Sequence, residues 1–402
     1  MRILLLYHYF YPDKCVSARV FSDFAIELSK YGNKITVFTG NRLLREDSNL
    51  ISLEQWNGIT IYRHFHPSFY QGHNIGRILN SIILQMNWLR GYLKHRGEFD
   101  VIIAGTDPQF SYLLFPLIKT FDRRVTIAHW VFDLYPEAIL VNSPLWMRLL
   151  ALMMKPIAKL SYHCVDLMVD IGSCMRKRLD CYQHHAAKNT LTPWALRERE
   201  SLPHVEPTIR KKLFGEAKIG LLYSGTIGYA HDILPFISLA RECRKRKVDA
   251  AFCFAGYGNG FKKQTSLITQ DDTNIRTLEF VNEKELEERL SAADIHLVSL
   301  KEGWEGIVVP SKFFGAIAIG RPVIFSGSTN SCIAEWCMQY HLGTILDNNT
   351  ADWIQFRLNN PIEFEREKEI CIRTYNREFS KNNICNKWQA SLAKIVQDRN
   401  KS

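Results

Sequence analysis

The chain has 402 residues, of which 46% are hydrophobic and 23% are charged. This composition is typical of a folded globular protein and excludes both a disordered chain and a bundle of membrane spans. The length exceeds what one hydrophobic core usually serves, so we expect two α/β domains of similar size.

The formal net charge of +10 leaves three classes of partner: nucleic acid, an anionic membrane surface and phosphorylated substrates. No zinc-finger, helix-turn-helix or RNA-recognition spacing occurs, so no nucleic acid partner is expected. The ten cysteines are scattered without paired spacing, which favours reduced structural thiols and no metal site. The apolar run that opens the sequence is too short for a signal peptide, so we expect a cytoplasmic protein.

The first half of the chain alternates short apolar runs with helical patterns, which predicts a parallel sheet covered on both faces. Helices are predicted over Phe21–Lys30 and Ile75–Arg96. The predicted strands are Ile3–Tyr7, Ile35–Thr39, Val101–Ala104, Val125–Trp130 and Leu167–Ile171.

A polar segment without apolar period follows Trp194 and runs to Lys218, after which the alternation restarts. We therefore predict an N-terminal domain over residues 1–195, a second domain over 196–375 and a C-terminal helix, 376–402, that packs back on the N-terminal domain. The helical stretch Ile362–Val396 would clasp both domains. The predicted elements of the second domain are strands Ile219–Ser224, Ala250–Ala255, Ile275–Leu278, Ile295–Ser299 and Pro322–Phe325, with helices Glu283–Ala293 and Ser311–Ile319.

Glycines mark the loops after two strands of the second domain. Gly225 and Thr226 directly follow the first strand, where glycine lets the backbone approach a ligand and amides at a helix start favour an anion. This pattern predicts a diphosphate loop, although a tight turn without a ligand has the same sequence. Gly256 belongs to a run of alternating glycines that departs from the dinucleotide spacing. We expect it at the carboxyl edge of the sheet, near the nucleotide base.

The segment Gly306–Ile324 carries the strongest phosphate signal. Pro310 and Ser311 suit the start of a helix, and Lys312 follows in its first turn. A cation is unusual at this place because the helix dipole favours acidic residues there. An anion held between the amides and the lysine explains the misfit. The alternative is a solvated surface lysine.

Several segments, in the same order along the chain, resemble one enzyme family. They are Tyr9–Pro12, Ser17–Arg19, Asp133–Glu137, Tyr223–His231 and Val309–Val323. With them the chain resembles the retaining, family 4-like nucleotide-sugar glycosyltransferases of the GT-B fold, in which two Rossmann-like domains face a cleft. The middle segment is similar to that of transferases that attach N-acetylfucosamine-like sugars in O-antigen and colanic-acid synthesis. The resemblance covers nearly the whole chain.

The resemblance implies transfer of a hexose or N-acetylhexosamine from a nucleotide diphosphate sugar to a lipid-linked or polysaccharide acceptor. The products would be bacterial surface glycans such as O-antigen, capsule or exopolysaccharide. The donor is a co-substrate, and the fold implies no cofactor and no metal. Charge that develops on the leaving diphosphate requires fixed donors around it. By resemblance Gly225, Thr226, Ser311 and Lys312 supply them.

The ribose-binding carboxylates of the relatives are missing from this sequence. Relatives carry a glutamate at the position of Gly315, and the partner carboxylate falls on Ile307. Glu302 and Glu305 lie just upstream, and Glu305 is the candidate replacement in donor binding. Because Tyr229 stands where relatives often have arginine, diphosphate binding would depend more on Lys312.

Candidate acceptor-side residues lie around the end of a first-domain strand. We predict that Asp133 orients or deprotonates the acceptor hydroxyl and that His129, four residues earlier, contacts the transferred sugar. Alternatively, Asp133 and Glu137 cap the following helix. Arg19, at a helix start, either clamps the donor phosphate from the opposite side or is a surface arginine.

Two stretches combine apolar periodicity with basic residues, Ile75–Arg96 and Trp146–Leu160. Such helices suit the interface of an anionic membrane, which would deliver a polyprenyl-linked acceptor. Helices that face a protein core have the same period, so both interpretations stay open. The unbroken apolar run Leu149–Met154 is too short to span a bilayer.

Two rival functions remain. A nucleotide-sugar epimerase or phosphorylase of the same fold would turn over the donor without an acceptor. A catalytically silent sugar-nucleotide-binding scaffold would bind the donor and leave it intact, as the residues at Gly315 and Ile307 suggest.

Overall fold

The structure is a computed structural model that describes residues 1–44, 49–67, 69, 74–195, 198, 205–279 and 283–401. It forms two compact units, Met1–Leu196 with Lys381–Ser402, and Arg197–Ser380. The chain stays in the second unit through Ser380, so its return to the first unit comes at Lys381 rather than at the expected residue 376.

The first unit is built around one twisted sheet. Its strands are β1 (Arg2–Leu6), β2 (Lys34–Gly40), β3 (Leu53–Trp56), β4 (Ile59–His64), β5 (Val101–Ala104), β6 (Thr126–Trp130), β7 (Leu167–Asp170) and β8 (Ala187–Thr190). Its helices are α1 (Val16–Lys30), α2 (Asn74–Lys94), α3 (Leu114–Phe121), α4 (Glu137–Asn142), α5 (Leu145–Tyr162) and α6 (Ser173–Asp180). The strand order is β3-β4-β2-β1-β5-β6-β7-β8, and only β3 and β4 pair antiparallel.

The central strands of this sheet are buried along their whole length, as expected where helices cover both faces. All five strands predicted for this half are present within one residue of their predicted bounds. The helix predicted from Phe21 already begins at Val16. The β3–β4 hairpin and β8 were not predicted.

The second unit has a fully parallel sheet in the order β11-β10-β9-β12-β13-β14. Its strands are β9 (Ile219–Thr226), β10 (Ala250–Tyr257), β11 (Ile275–Glu279), β12 (Ile295–Ser299), β13 (Val323–Ser326) and β14 (Gly343–Ile345). Its helices are α7 (Pro207–Phe214), α8 (Leu234–Lys245), α9 (Asn259–Thr265), α10 (Glu283–Ala292), α11 (Lys312–Ala318), α12 (Cys332–Tyr340), α13 (Thr350–Asn359) and α14 (Pro361–Thr374).

The chain ends in α15 (Lys381–Lys401), which belongs to the first unit. Trp388 of α15 is fully buried there, with its ring 5.2 Å from that of Phe24 in α1 and 5.3 Å from that of Trp130 in β6. The predicted helical stretch Ile362–Val396 is therefore two helices, α14 and α15, that belong to different units.

Candidate functional site

The carboxyl ends of β9 and β12 and the start of α11 lie together at one edge of the second sheet. β9 ends at Thr226, β12 ends at Ser299, and α11 begins at Lys312. Ligands of open α/β sheets bind outside the carboxyl ends of the strands. Three of the predicted donor-binding residues, Gly225, Thr226 and Lys312, are in contact here.

Lys312 is a half-buried cation at this edge. Its Nζ atom donates a hydrogen bond of 3.3 Å to the carbonyl oxygen of Thr226 and lies 5.3 Å from the centre of the Tyr223 ring. Burial lowers the pKa of Lys312 to about 8, because desolvation penalises the charged form. Among the described residues, no carboxylate lies within ion-pair distance of this ammonium. It is therefore not a solvated surface lysine, and no described residue supplies a counter-ion for its charge.

The backbone of Gly225 lies directly against the side chain of Lys312. Its φ of +126° lies in the region that favours glycine, and a Cβ atom there would lie 2.8 Å from Cε of Lys312. Gly256 is its neighbour in β10, and a Cβ on Gly256 would lie 2.4 Å from the carbonyl oxygen of Gly225. The close approach of the two strands therefore explains the glycine at position 256, and its predicted contact with the donor stays a prediction.

His231 and Ser299 complete the polar edge, and the sequence did not single them out. Nδ1 of His231 donates to the carbonyl oxygen of Ser299 at 2.8 Å, which leaves Nε2 as the acceptor of a neutral ring. Burial, and next the charge of Lys312, lower the pKa of His231 to about 4. Ser299 is the last residue of β12 and His231 follows the glycine loop, so the carboxyl-edge rule could have found both.

The helix start itself offers less than the sequence predicted. α11 has only seven residues, and exposed Ser311 forms no capping hydrogen bond with its side chain. The amide of Phe313 already donates to the carbonyl oxygen of Pro310 at 3.2 Å. Lys312, more than the helix amides, gives this edge its positive character.

The positions where relatives carry carboxylates differ in their surroundings. Ile307 is fully buried, so its side chain does not reach solvent. Gly315 is the opposite case, because an added Cβ would meet no atom within 4 Å. Glu305 lies in the loop before α11, where it forms a β-bridge with Val308. Its role in ribose binding stays a prediction.

In the first unit, Asp133 follows β6 at the carboxyl edge of the sheet. It lines a small, shallow recess together with Thr106, Tyr135 and Tyr162. The side chain of Asp133 is exposed in part. Desolvation by the surrounding protein, and next the charge of Asp107, raise its pKa to about 6. A carboxylate with this pKa is ionised at neutral pH and can accept a proton from a hydroxyl.

The alternative role of Asp133 and Glu137 as helix caps does not agree with the structure. The N-cap residue of α4 is Pro136, and no side chain caps the helix. Glu137 is buried and accepts a hydrogen bond of 2.6 Å from the hydroxyl of Tyr182. Asp133 therefore remains the acceptor-side candidate, while Glu137 has a structural role.

A histidine pair lies beside this edge and was not predicted. His8 bonds through Nδ1 to Oδ1 of Asp107 at 3.2 Å and through Nε2 to Nε2 of His66 at 3.3 Å. Nδ1 of His66 donates to the carbonyl oxygen of Pro67 at 3.0 Å. The absence of a side chain on Gly40 makes space for this pair, since a Cβ there would lie 2.9 Å from the His66 ring. The pair fixes the Asp107 carboxylate that raises the pKa of Asp133.

His129 is not at the sheet edge. It is fully buried in β6, where Nδ1 donates to the carbonyl oxygen of Ala104 at 2.9 Å and the ring packs 5.0 Å from that of Phe115. Burial lowers its pKa to about 4. The ring is closed off from solvent, one residue before the end of β6. The predicted contact of His129 with the transferred sugar stays a prediction.

Arg19 lies in the first turn of α1, in the first unit, and is half-buried. Its predicted contact with phosphate stays a prediction. Within the ranges that the structure describes, no group of three or more His, Cys, Asp or Glu side chains is arranged to hold a metal ion. The expectation of a metal-free reaction also stays a prediction.

No family model matches the chain. The probable glycosyltransferase WbjE of Pseudomonas aeruginosa is 26% identical to it over 239 residues, which cover 56% of this chain and 56% of WbjE. The match therefore spans about half the length of this curated relative.

Solved structures match over nearly the whole chain. The sucrose-phosphate synthase tll1590 of Thermosynechococcus elongatus has a TM-score of 0.71 at 12% identity and covers 99% of this chain and 100% of its own. HepE (Alr3699) of Anabaena, in complex with UDP-glucose, has a TM-score of 0.64 at 12% identity and covers 98% of this chain and 100% of its own. Identities this low establish the fold alone. The chain therefore has the GT-B fold that its sequence predicted.

Proposed function

We propose that the chain is a glycosyltransferase that takes its sugar from a nucleotide diphosphate donor. The sugar is a hexose or an N-acetylhexosamine, and the acceptor is a lipid-linked or polysaccharide glycan of a bacterial surface. The GT-B fold, the partial match to WbjE and the UDP-glucose bound by HepE support the proposal.

The observation that carries the proposal is the ammonium of Lys312. It lies half-buried at the carboxyl edge of the second sheet, 3.3 Å from the carbonyl oxygen of Thr226, without a carboxylate partner among the described residues. A desolvated cation without a counter-ion costs stability, and a bound anion removes that cost. The diphosphate of the donor is an anion that fits this position.

In the proposed reaction the bond between the sugar and the diphosphate breaks, and a bond forms from the acceptor oxygen to the same sugar carbon. Lys312 stabilises the charge that develops on the diphosphate, which is where fixed cations contribute most to catalysis. The hydroxyl proton of the acceptor passes to Asp133. By resemblance, the sugar keeps its anomeric configuration.

A second candidate is a scaffold that binds the donor and leaves it intact. Gly315 provides no side chain toward the ligand, and Ile307 is fully buried, so neither position supplies the carboxylate of the relatives. Binding without turnover is the property that separates this candidate from the enzyme.

The test is a thermal-shift panel with UDP, GDP, dTDP and CMP and their common sugars. A ligand that binds only the folded state raises the melting temperature by mass action. We expect one nucleotide class to stabilise the wild type, and Lys312→Ala to lose most of the shift. Lys245→Ala is the matched control, because that exposed lysine ends α8.

Release of the nucleoside diphosphate from the stabilising donor, followed with and without glycan acceptors, then separates the candidates. Acceptor-dependent release supports the transferase, and binding without release supports the scaffold. If no nucleotide shifts the melting temperature of the wild type, the assignment of the donor site to Lys312 is wrong.

A further inference from the structure

Helix α5 exposes its large apolar side chains to solvent. Eight of them are between 45% and 74% exposed, with Trp146 at 62% and Met153 at 71%. The eight are Leu145, Trp146, Leu149, Leu150, Leu152, Met153, Ile157 and Leu160. Monomeric proteins rarely expose contiguous apolar patches beyond a few hundred Å², so this face needs a partner.

The side of α5 that packs on the first unit carries mostly small residues. Ala151, Ala158 and Ser161 are buried there, together with Tyr162. An ordinary amphipathic helix places its large apolar residues toward the core. α5 has the reverse arrangement, which rules out the core-facing interpretation of this stretch.

Helix α2 shows the same reversal in its first half. Its outward side chains include Ile78, Leu79, Ile82 and Met86, which are between 36% and 49% exposed. The buried side carries three polar residues, Asn80, Ser81 and Gln85, beside the buried Leu84. Two separate helices of the unit therefore present apolar faces outward.

Helix α3 contacts both α2 and α5 and lies between them. It adds exposed Leu117 and Phe121 to the apolar face. The three helices contain no Asp or Glu, although Asp and Glu make up 41 of the 402 residues. Two of their basic residues pair with carboxylates elsewhere in the unit, Lys119 with Asp166 at 2.8 Å and Lys155 with Glu137 at 3.8 Å. The other basic residues are Arg77, Arg90, Lys94, Arg148 and Lys159.

We infer that α2, α3 and α5 form a docking surface for the anionic face of a phospholipid bilayer. Apolar side chains that enter the boundary between headgroups and acyl chains, flanked by basic residues without acidic ones, match the chemistry of that boundary. No helix in the described ranges has both the length and the apolar character that a spanning segment requires. The contact is therefore with the bilayer surface.

The docking surface is connected to the acceptor-side recess through α5. Tyr162, the last residue of that helix, lines the recess beside Asp133. A lipid-linked acceptor in the same bilayer would reach Asp133 from the side on which the protein docks. This consequence rests on the proposed function, whereas the bilayer contact does not.

The experiment is co-sedimentation of the full chain with vesicles of phosphatidylcholine alone and of phosphatidylcholine with phosphatidylglycerol in a 2:1 ratio. We expect binding to the anionic vesicles that weakens as salt screens the charges. The double variant Leu149→Glu and Met153→Glu changes two exposed side chains and should lower the bound fraction at least about tenfold. Ile362→Glu is the control, since Ile362 is also highly exposed, at 74%, but lies in the second unit.

Circular dichroism and melting temperature of the double variant show that it is folded. Equal binding of the wild type to both vesicle types would overturn the assignment to anionic lipid. Failure to bind either type, together with a dimer that the double variant abolishes, would show that the face joins two copies of the chain. Because vesicle binding needs no donor, its failure can be told apart from a failure of the proposed function.

Discussion

Cε of Lys312 lies where a side chain on Gly225 would have to be, 2.8 Å from the Cβ position of that glycine. The end of β9 and the side chain of Lys312 can therefore pack together only because Gly225 has no side chain. Since Nζ of the same lysine bonds to Thr226, the loop conformation and the direction of the charge are set together.

The first prediction follows from this fit. Gly225→Ala should displace Lys312 and also strain the backbone, because φ at this position is +126°. We expect the Kd for the nucleotide to rise at least about tenfold, which corresponds to about 1.4 kcal/mol. Isothermal titration calorimetry measures it. Gly228→Ala is the control, since an added Cβ there meets nothing within 4 Å. Equal effects of both substitutions would show that the contact with Lys312 is not responsible.

The second prediction concerns the pH dependence of donor binding. The pKa of Lys312 is about 8 without a ligand, and an anion favours the charged form. Binding should therefore weaken as pH rises through 8, by up to about tenfold per pH unit. Lys312→Arg should bind with little change between pH 7 and 9, because a guanidinium stays protonated. An identical pH profile for both proteins would assign the titration to another group.

The donor edge could be predicted because its signals are local. Glycines at a strand end and a lysine after Pro310 and Ser311 lie close together in sequence, and parallel topology brings their loops to one edge. The partner of Lys312 could not be predicted in the same way. Its bond to the carbonyl oxygen of Thr226 joins the start of α11 to the end of β9, and only the packed sheet sets that distance.

His129 and Asp133 show where spacing alone misleads. Both lie near the end of β6, but His129 is inside the strand and Asp133 is beyond it. In a strand that is buried on both faces, apolar and polar residues do not alternate. The sequence therefore does not indicate which residue lies at the surface. The hairpin of β3 and β4 is different, because its turn residues Asn57 and Gly58, with φ of 50° and 76°, are a recognisable hairpin signal.

The third prediction tests the acceptor side. If Asp133 takes the acceptor proton, kcat/KM should fall as pH drops through about 6, the pKa of that carboxyl. Asp133→Asn should lower kcat by about 10² to 10⁴. Asp107→Asn should move the acid limb below pH 6, because a like charge that raises the pKa of Asp133 is removed.

The amide in Asp107→Asn can still form a hydrogen bond with Nδ1 of His8, so the loop should keep its structure. Glu216→Gln, at an exposed position in the second unit, is the control and should leave the acid limb in place. An acid limb that does not move in Asp107→Asn would indicate that a group other than Asp133 takes the proton.

The fourth prediction uses two glycines of the second unit. Gly315 lies within α11 with open space around its Cβ position, so Gly315→Ala should raise the free energy of unfolding by about 0.5–1 kcal/mol. At Gly343, with φ of +139°, a Cβ would lie 1.9 Å from the carbonyl oxygen of Val323. Gly343→Ala should therefore cost more than about 2 kcal/mol. Urea denaturation measures both free energies of unfolding. If Gly315→Ala lowered that free energy, the space beside α11 would not accommodate a methyl group.

The last prediction separates a buried histidine from a catalytic one. His129→Ala removes a hydrogen bond to Ala104 and leaves a cavity beside Phe115, so it should lower the free energy of unfolding by about 2–4 kcal/mol. His129→Phe refills that space and removes the buried Nε2 atom that has no hydrogen-bond partner, so it should cost less. At a temperature where both variants are folded, kcat should match the wild type in each. A loss of kcat in His129→Phe at normal stability would instead mean that the ring reaches the sugar after a conformational change.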